Sequence, residues 1–423
     1  MNTQQVRAAD LPAQQRMILM RRAQDALKRD PNNLEIMLTV AGLHAADGNS
    51  EAALDLLQRA LSKRKKNPEI LRRLVSVSKE VRLFKLARKY ARKLCEVEPR
   101  NAENFRTYGR ILEISGAPLQ AATALEKANL LDPGDADTLS AIGRCHSNLG
   151  DPEQARHYYA KALELDPEHT MALYGLATAK KFDSGEADSF ATAAVKAAQD
   201  EPDAVTKSLL LFAAGKTMDD CRRYDEAFDF FVQANRLRLP ETGDRNYMNP
   251  IRNAIEVMTR DFFATRHNTG LPTTRPIFVL GMPRSGTTLT ESICAAHSQV
   301  TAGDELDLMT TACKSLSNYS PEPAVFRRNL VSLSPEAIRE GAQGYLDRAE
   351  VLVGKVPHFT DKMPHNFLNI GMIRLFFPNA RIIHVRRHPL DNCLSLFSNS
   401  MRQFHNDYKS DLKSLGLYYL QYL

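Results

Sequence analysis

Residues 277–289 read IFVLGMPRSGTTL, and this stretch decides the fold of the C-terminal part of the chain. Four consecutive apolar residues predict a short buried strand, and the residues from Thr287 onward predict a helix. Glycines let the loop between them turn tightly, so that successive backbone amides and the helix N-terminus converge on an anion. Thr287 and Thr288 add hydroxyl donors, and Arg284 adds a cation that binds bidentately. The stretch therefore predicts an anion-binding loop that runs through Ser285 and Gly286.

The loop departs from the common phosphate-binding loop, GxxxxGK[ST], at one place. Thr287 stands where that pattern has its lysine, and the cation comes earlier, from Arg284. This departure counts against an ordinary ATPase or kinase. A P-loop nucleotide hydrolase or kinase nevertheless stays an alternative function, which a measurement of ATP hydrolysis would test.

Helix and strand patterns alternate after this loop. Strands are predicted at His358–Lys362 and Arg381–Val385. Ser334 followed by Pro335 is typical of a helix start. Further helices are predicted at 251–263, 287–296, 335–353, 367–376, 391–400 and 410–423. Strands separated by helices indicate an α/β fold with a parallel sheet.

The first half carries a 34-residue period. Pro31, Pro99, Pro133 and Pro167 recur at 34 residues or a multiple of it. Small residues and large apolar residues recur at matching places within the windows, as helix pairs require for close packing. The spacing resembles the tetratricopeptide repeat, with about six repeats over residues 34–239. The resemblance implies an all-α solenoid whose first helices line a concave binding groove.

Composition sets the broad class. The 423 residues carry a net charge of +6, with 43% hydrophobic and 25% charged residues, which is ordinary for a globular protein. No apolar stretch is long enough to predict a membrane span. The six cysteines are far apart and form no CxxC pair, which favours a reducing cytoplasm over a disulfide framework.

Positive charge is concentrated in one part of the repeats. Residues 61–100 hold 14 Lys and Arg against 4 Glu, so an acidic partner is one interpretation and a solvated face is the other. In the resembled repeat, the groove positions are occupied here by Arg72, Lys79, Arg106, Arg110 and Arg144, and Glu69, Glu103, Glu113 and Asp137 interrupt them. We therefore predict a basic groove that binds an acidic protein or glycan, and we expect no nucleic acid.

Two motifs, the loop at 283–288 and a second one around Arg387, support a specific family. The PRSGTT sequence at 283–288 looks like the phosphosulfate loop of sulfotransferases, and the following residues are similar to tyrosylprotein sulfotransferases. Together with the repeats, the chain resembles bacterial tetratricopeptide-repeat sulfotransferases. The family holds the 3′-phosphate of its donor with an Arg and a Ser eight residues later, which correspond to Arg387 and Ser395. His388 departs from the Asp or Asn that is frequent in that motif.

The resemblance implies a donor, a reaction and two further residues. The donor is 3′-phosphoadenosine 5′-phosphosulfate, and no metal is needed. Glu305 aligns with the catalytic base, and Lys362 with a lysine that contacts the transferring group. From the residues alone, Asp304 and Glu305 would equally suit a helix start, since carboxylates favour its positive end. His365 is the alternative base.

The histidines near these motifs do not predict a metal site. His358, His365, His384 and His388 lack an identifiable third ligand, so we expect no metal. A repeat adaptor with a catalytically inactive second domain remains an alternative function. The acceptor, whether protein tyrosine, glycan or metabolite, is not specified by the sequence.

The chain is expected to contain three parts. Residues 1–239 form the repeat solenoid, 240–275 a linker with one helix, and 276–423 the donor-binding part of the sulfotransferase domain. Related domains continue beyond this length, and the final stretch has no cap, so we expect a truncated domain.

Overall fold

The computed structural model describes residues 13–81, 83–239, 255–266, 269–316, 329–401 and 407–423. Contacts divide the chain into two compact units. The first comprises residues 1–201 and 216–223, and the second comprises residues 202–215 and 224–423. The predicted domain boundaries at 239 and 275 stay predictions, because the two units do not divide the chain at those positions.

The first unit is all helical, and consecutive helices pack against one another. The helices are α1 Ala13–Arg29, α2 Leu34–Ala46, α3 Ser50–Lys63, α4 Pro68–Glu80, α5 Phe84–Val97, α6 Ala102–Ile114, α7 Pro118–Leu131, α8 Ala136–Asn148, α9 Pro152–Leu165, α10 Thr170–Ala179 and α11 Ser184–Asp200. The next helix, α12 Ala204–Asp220, contributes residues to both units. The repeat solenoid expected from the 34-residue period is therefore confirmed as a fold.

Helix ends follow the period as predicted. Helices α5, α7 and α9 end two residues before Pro99, Pro133 and Pro167, because proline cannot donate the backbone hydrogen bond that would continue the helix. A second periodic signal lies at the helix starts, where residues 33, 67, 101, 135 and 169 are all N-caps. The side chain of Asn67 accepts a hydrogen bond from the Ile70 amide at 3.1 Å.

Small residues let the paired helices approach, as the sequence indicates. A Cβ atom on Gly109 of α6 would lie 2.6 Å from Leu125 Cγ of α7. A Cβ on Gly143 of α8 would lie 2.9 Å from the ring of Tyr159 in α9. Both contacts are closer than packed carbon atoms allow. Each of these glycines therefore fixes the distance between the two helices of its repeat.

The second unit contains a parallel sheet. Its strands are β1 Pro276–Leu280, β2 Val300–Thr301, β3 His358–Asp361 and β4 Arg381–His384, in the order β2-β3-β1-β4. Its helices, besides part of α12, are α13 Tyr224–Arg236, α14 Arg260–Ala264, α15 Thr287–Ala295, α16 Leu308–Lys314, α17 Pro335–Val353, α18 Ile370–Phe376, α19 Pro389–Phe397 and α20 Leu412–Tyr422. Leu280 of β1 pairs with His384 of β4, and Phe278 pairs with Asp361 of β3. The predicted parallel α/β sheet is confirmed.

Two predicted helices differ in detail. The stretch 251–263 was expected as one helix, but its described part is interrupted before α14, where the extended Thr259 caps the Phe262 amide with its side chain. Residues 251–254 lie outside the described residues. The helix expected at 367–376 begins as a 3-10 helix at Pro364–Asn369, and only Ile370–Phe376 is α-helical.

Aromatic side chains fill the core between the sheet and α17. Phe278 and Phe359 on the two central strands are fully buried and pack against Tyr345 of α17. Phe377, which follows α18, contacts both Phe278 and Tyr345. This core fixes the central strands, and the loops that follow them take their positions from it.

We predict that Gly109→Ala lowers the free energy of unfolding of the repeats by about 1–3 kcal/mol, since the added methyl group collides with Leu125. Gly42→Ala is the matched control. Its Cβ would make an ordinary contact 3.7 Å from Arg73 Nη1, and the helix gains up to about 1 kcal/mol from alanine. Urea unfolding followed by circular dichroism measures the change in unfolding free energy for each variant. Equal effects of the two changes would contradict the packing role of Gly109.

Candidate active site

The loop after β1 has three residues with positive φ. Gly281 and Gly286 have φ of +150° and +106°, and the non-glycine Arg284 has φ of +68°. A Cβ on Gly281 would lie 2.3 Å from the carbonyl oxygen of Val385, so only glycine fits beside the end of β4. Gly286 is the N-cap of α15, whose first amides face the loop. The sequence-predicted loop is thus present in the structure.

One side chain in this loop has a buried hydroxyl without a hydrogen-bond partner among the described residues. Ser285 is 8% exposed, and its Oγ is buried without a hydrogen-bond partner among the described residues. A buried hydroxyl without a partner costs free energy unless a ligand supplies one. Thr287 is buried beside it, whereas Thr288 is exposed at the start of the helix. An anion with oxygen acceptors matches this set of donors.

The second motif lies directly against the loop. Arg284 Nε donates a hydrogen bond to Ser395 Oγ of α19 at 3.2 Å, and Arg387 Nη1 lies 3.4 Å from the Arg284 carbonyl oxygen. Pairing of β1 with β4 produces this arrangement, because it aligns the ends of the two strands. Both arginines are exposed. Two cations predicted from separate motifs therefore meet at one place.

Two residues that the sequence did not single out hold this arrangement. Asn392 of α19 is fully buried, and its Nδ2 donates to the Pro283 carbonyl oxygen at 2.8 Å. The Tyr419 hydroxyl of α20 donates to the Arg387 carbonyl oxygen at 3.0 Å. Both bonds join segments far apart in sequence, so no local pattern could have shown them.

Glu305 and Lys362 meet at the neighbouring strand ends. Lys362 Nζ lies 2.9 Å from Glu305 Oε1 and 2.9 Å from Asp304 Oδ1. The lysine side chain is 4% exposed, whereas those of Glu305 and Asp304 are 56% and 83% exposed. Burial disfavours the ammonium, but the hydrogen bonds and charges of the two carboxylates outweigh it and raise the pKa of Lys362. Lys362 is therefore a fixed cation with two accessible carboxylates beside it.

The segment with Asp304 and Glu305 is a turn. Asp304 has φ of +61°, and helix α16 begins only at Leu308, with Asp307 as its N-cap. The alternative interpretation, in which Asp304 and Glu305 begin a helix, is therefore wrong. The reason is that hydrogen bonds from Asp304 N to Glu291 and from Lys362 N to the Asp304 carbonyl oxygen hold a different backbone.

A buried carboxyl group precedes Lys362. Asp361 is fully buried and accepts hydrogen bonds from the Tyr345 hydroxyl at 2.6 Å and from Asn366 Nδ2 at 3.1 Å. Burial raises the pKa of Asp361 to about 7, although both hydrogen bonds act in the opposite direction. The group is therefore a structural anchor for the end of β3, where Lys362 begins.

The histidines are dispersed around the site. His365 packs its ring against Phe367, and His384 contacts the Tyr422 hydroxyl. Burial, together with the nearby Arg386, lowers the pKa of His384. Among the described residues, no group of three or more His, Cys, Asp or Glu side chains could hold a metal ion.

Most of the groove cations are paired with carboxylates of the repeats. Each pair joins side chains of neighbouring repeats or of one repeat: Arg72 with Glu98, Arg106 with Asp132 and Asp135, Arg110 with Asp137, and Arg144 with Glu113. Lys79 is exposed. The expected groove therefore carries less free positive charge than its arginines suggest.

Positive charge is instead displayed along α5. We use the term α5 face for Lys85, Arg88, Lys89, Arg92 and Lys93, which recur at three or four residues and therefore share one side of the helix. Four of them are exposed, and Lys93 is partly exposed. Arg92 pairs with Glu96 at 3.3 Å, a surface ion pair of small energy.

The fold and the site define an α/β domain with a glycine-containing loop between its first strand and the following helix, preceded by a helical repeat array. Residues 276–422 match the model of the Sulfotransferase family, and residues 21–68 and 136–169 match models of the tetratricopeptide repeat. The C-terminal domain is therefore similar to the sulfotransferase family, and the segment before it is similar to tetratricopeptide repeats.

The chain shares low identity with two curated relatives. An uncharacterized protein of Aquifex aeolicus (strain VF5) is 30% identical over 328 residues, covering 75% of this chain and 43% of the relative. Protein-tyrosine sulfotransferase 1 of Rattus norvegicus is 24% identical over 200 residues, covering 47% of this chain and 50% of the relative. The matches thus span about half the length of these relatives or less.

Part of the chain is also similar to a solved structure. PilW, a widely conserved type IV pilus biogenesis factor, is 18% identical with a TM-score of 0.38, covering 48% of this chain and 92% of that chain. In the described part of the chain, no helix combines the length and apolar character needed to cross a membrane.

We predict that Asp361→Asn changes how stability depends on pH. The folded protein holds a proton on Asp361 up to about pH 7, whereas the unfolded chain releases it near the ordinary value of 3.8. Wild-type stability therefore falls, through this group, as pH rises from about 4 to about 7, by about 1.4 kcal/mol for each unit of pKa difference. The Asn variant lacks this loss.

Urea unfolding of both proteins across this pH range measures the difference. The variant should gain stability relative to the wild type as pH rises. Asp347→Asn, the same change at an exposed carboxylate of α17, controls for the lost charge. If the difference in unfolding free energy between the wild type and Asp361→Asn stays constant with pH, the raised pKa of Asp361 is contradicted.

Proposed function

We propose that the chain is a sulfotransferase that uses 3′-phosphoadenosine 5′-phosphosulfate as donor and a hydroxyl or phenol as acceptor. The observation that carries this proposal is the convergence of four strand ends. Arg284, Glu305, Lys362 and Arg387 each follow a different strand of one parallel sheet. Ligands of such sheets bind outside the carboxyl ends of the strands.

The two ends of the donor fit two parts of the site. The 5′-phosphosulfate is held by Arg284 and by the amides and hydroxyls of residues 285–288, where the Ser285 hydroxyl has no hydrogen-bond partner among the described residues. The 3′-phosphate is held by Arg387 and Ser395. Ser395 Oγ already accepts a hydrogen bond from Arg284, so both phosphate sites share one connected set of side chains.

The chemistry is a transfer of one sulfuryl group along an in-line path. The acceptor oxygen forms a bond to sulfur, the bond from sulfur to the bridging phosphate oxygen breaks, and the phosphate leaves with the electron pair. Glu305 accepts the proton of the acceptor hydroxyl, and Lys362 neutralises the charge that develops on the bridging oxygen. Positioning and charge stabilisation supply most of the rate, as in phosphoryl transfer.

The close contact of Lys362 with Glu305 supports these two roles. A cation 2.9 Å from the base holds its carboxylate near the end of β3, and the base remains 56% exposed for an acceptor to approach. The same lysine is buried, so its charge acts in a less screened environment. The arrangement suits a reaction in which one group takes a proton while its neighbour stabilises an anion.

The reaction is tested with sulfur-35-labelled donor and a phenolic acceptor such as 2-naphthol, alongside tyrosine peptides and glycans. Labelled sulfate on any acceptor is the expected result. If labelled donor is not consumed while ATP is hydrolysed, the loop serves a nucleotide hydrolase instead.

We predict that Glu305→Gln lowers turnover by about 10²–10⁴-fold, because the amide cannot accept the acceptor proton. Affinity for 3′-phosphoadenosine 5′-phosphate, measured by calorimetry, should stay within about twofold. Asp304→Asn is the matched control, since it removes the other carboxylate beside Lys362. Full turnover of Glu305→Gln together with loss of turnover in His365→Asn would assign the base to His365.

We propose that the protein is located in the cytoplasm.

We propose that the repeats recruit the acceptor or a protein partner. Tetratricopeptide repeats stack into extended binding surfaces, which suits this role. An acidic partner is favoured by the charge of residues 61–100. Because most groove arginines are already paired, the α5 face offers more free charge for such a partner.

We predict that polyglutamate binding at low salt depends on the α5 face. Changing Lys85, Arg88, Lys89 and Arg92 together to Ser should weaken binding at least tenfold, and binding to the wild type should fall as salt rises. The comparison variant changes Arg72, Arg106 and Arg110 to Ser, and circular dichroism confirms that both variants fold. A greater loss of affinity in the comparison variant would place the site in the groove. If both variants bind polyglutamate as tightly as the wild type, neither surface is the site.

A further inference from the structure

Glu291 of α15 is a buried carboxylate that the proposed chemistry does not use. It is 5% exposed and lies in the second turn of the helix that begins at the anion-binding loop. Burying a carboxylate is unfavourable unless hydrogen bonds or charges compensate it. Its Oε1 accepts one bond from Thr360 Oγ1 at 2.6 Å and one from the Asp304 amide at 3.0 Å. Glu291 thus contacts both segments that carry the proposed base and lysine.

Thr360 connects Glu291 to a second amide of the turn, that of Gly303, which precedes Asp304. Its Oγ1 donates to Glu291 and accepts a hydrogen bond from the Gly303 amide at 3.1 Å. Thr360 is fully buried in β3, two residues before Lys362. The turn approaches this strand so closely that a Cβ on Gly303 would lie 2.1 Å from the Thr360 carbonyl oxygen.

The turn needs this support because its backbone is unfavourable. Asp304 has φ of +61°, a region that residues other than glycine rarely adopt. Its amide is held by Glu291, and its carbonyl oxygen accepts the Lys362 amide at 3.0 Å. Strained backbone of this kind persists where surrounding contacts fix it. Glu305, the next residue, takes its direction from this turn.

We propose that Glu291 is a positioning residue that joins three parts of the active site: the helix of the donor loop, the end of β3 before Lys362, and the turn that carries Glu305. This inference rests on the proposed function, in which Glu305 and Lys362 act on the acceptor and the transferring group. Glu291 does not touch the reacting atoms. Its bonds set the distance between the donor loop and the base, and misplacement of about 1 Å can reduce a rate about 10²-fold.

The test uses two pairs of variants of the full chain. Glu291→Ala removes the acceptor, whereas Glu291→Gln keeps a carbonyl oxygen at the same reach. Thr360→Val removes the hydroxyl with little change of shape, whereas Thr360→Ser keeps it. Each disruptive change therefore has a conservative partner at the same position.

Hydrogen exchange measures the network without any substrate. The Gly303 and Asp304 amides should exchange at least tenfold faster in Glu291→Ala and Thr360→Val, and near the wild-type rate in Glu291→Gln and Thr360→Ser. Unchanged protection in both disruptive variants would overturn the proposal. This readout remains valid if the wild type transfers no sulfate, so failure of the proposed function is recognised separately.

Kinetics then separate positioning from general stability. Turnover with labelled donor should fall about 10–100-fold in Glu291→Ala and Thr360→Val, with affinity for 3′-phosphoadenosine 5′-phosphate within about threefold of wild type and recovery of turnover in the conservative variants. If donor affinity falls as much as turnover, Glu291 maintains the fold of the loop as a whole, and the positioning role is wrong.

Discussion

The parallel pairing of β1 with β3 on one side and β4 on the other is the constraint on which the proposed site depends. Parallel strands end at the same edge of a sheet, so the segments that follow them must share that edge. The loop after β1 therefore meets Arg387 after β4, while the turn after β2 meets Lys362 after β3. The aromatic core around Phe278 and Tyr345 keeps these strands in place. Without this register, four separate segments would carry isolated charges.

Much of this arrangement could be predicted from the sequence because its signals are local. The loop at 281–286 lies between an apolar strand and a helix, and Arg387 and Ser395 have a defined spacing. The family resemblance then supplied roles for Glu305 and Lys362. The structure brings these residues together in two groups, although their roles in catalysis are proposals. Local patterns also predict the helix ends, because a proline stops the helix that precedes it directly in the sequence.

The supporting residues could not be predicted in the same way. Glu291 contacts Thr360 at a separation of 69 residues, and Asn392 contacts Pro283 at a separation of 109. Nothing near Glu291 in sequence distinguishes it from an ordinary helical glutamate. The same limit applies to the groove arginines, whose partners lie on neighbouring helices. Residue type predicted their charge, but only the packed repeats show that this charge is neutralised.

We propose that the strand ends form a site for a nucleotide with a 3′-phosphate and a 5′-phosphosulfate. The most direct measurement is calorimetric titration of 3′-phosphoadenosine 5′-phosphate into the protein, with ATP and the Arg387→Ala variant as comparisons. We expect micromolar binding of the bisphosphate, weaker binding of ATP, and loss of most of the affinity in the variant. Absence of bisphosphate binding, or equal binding by wild type and variant, would contradict it.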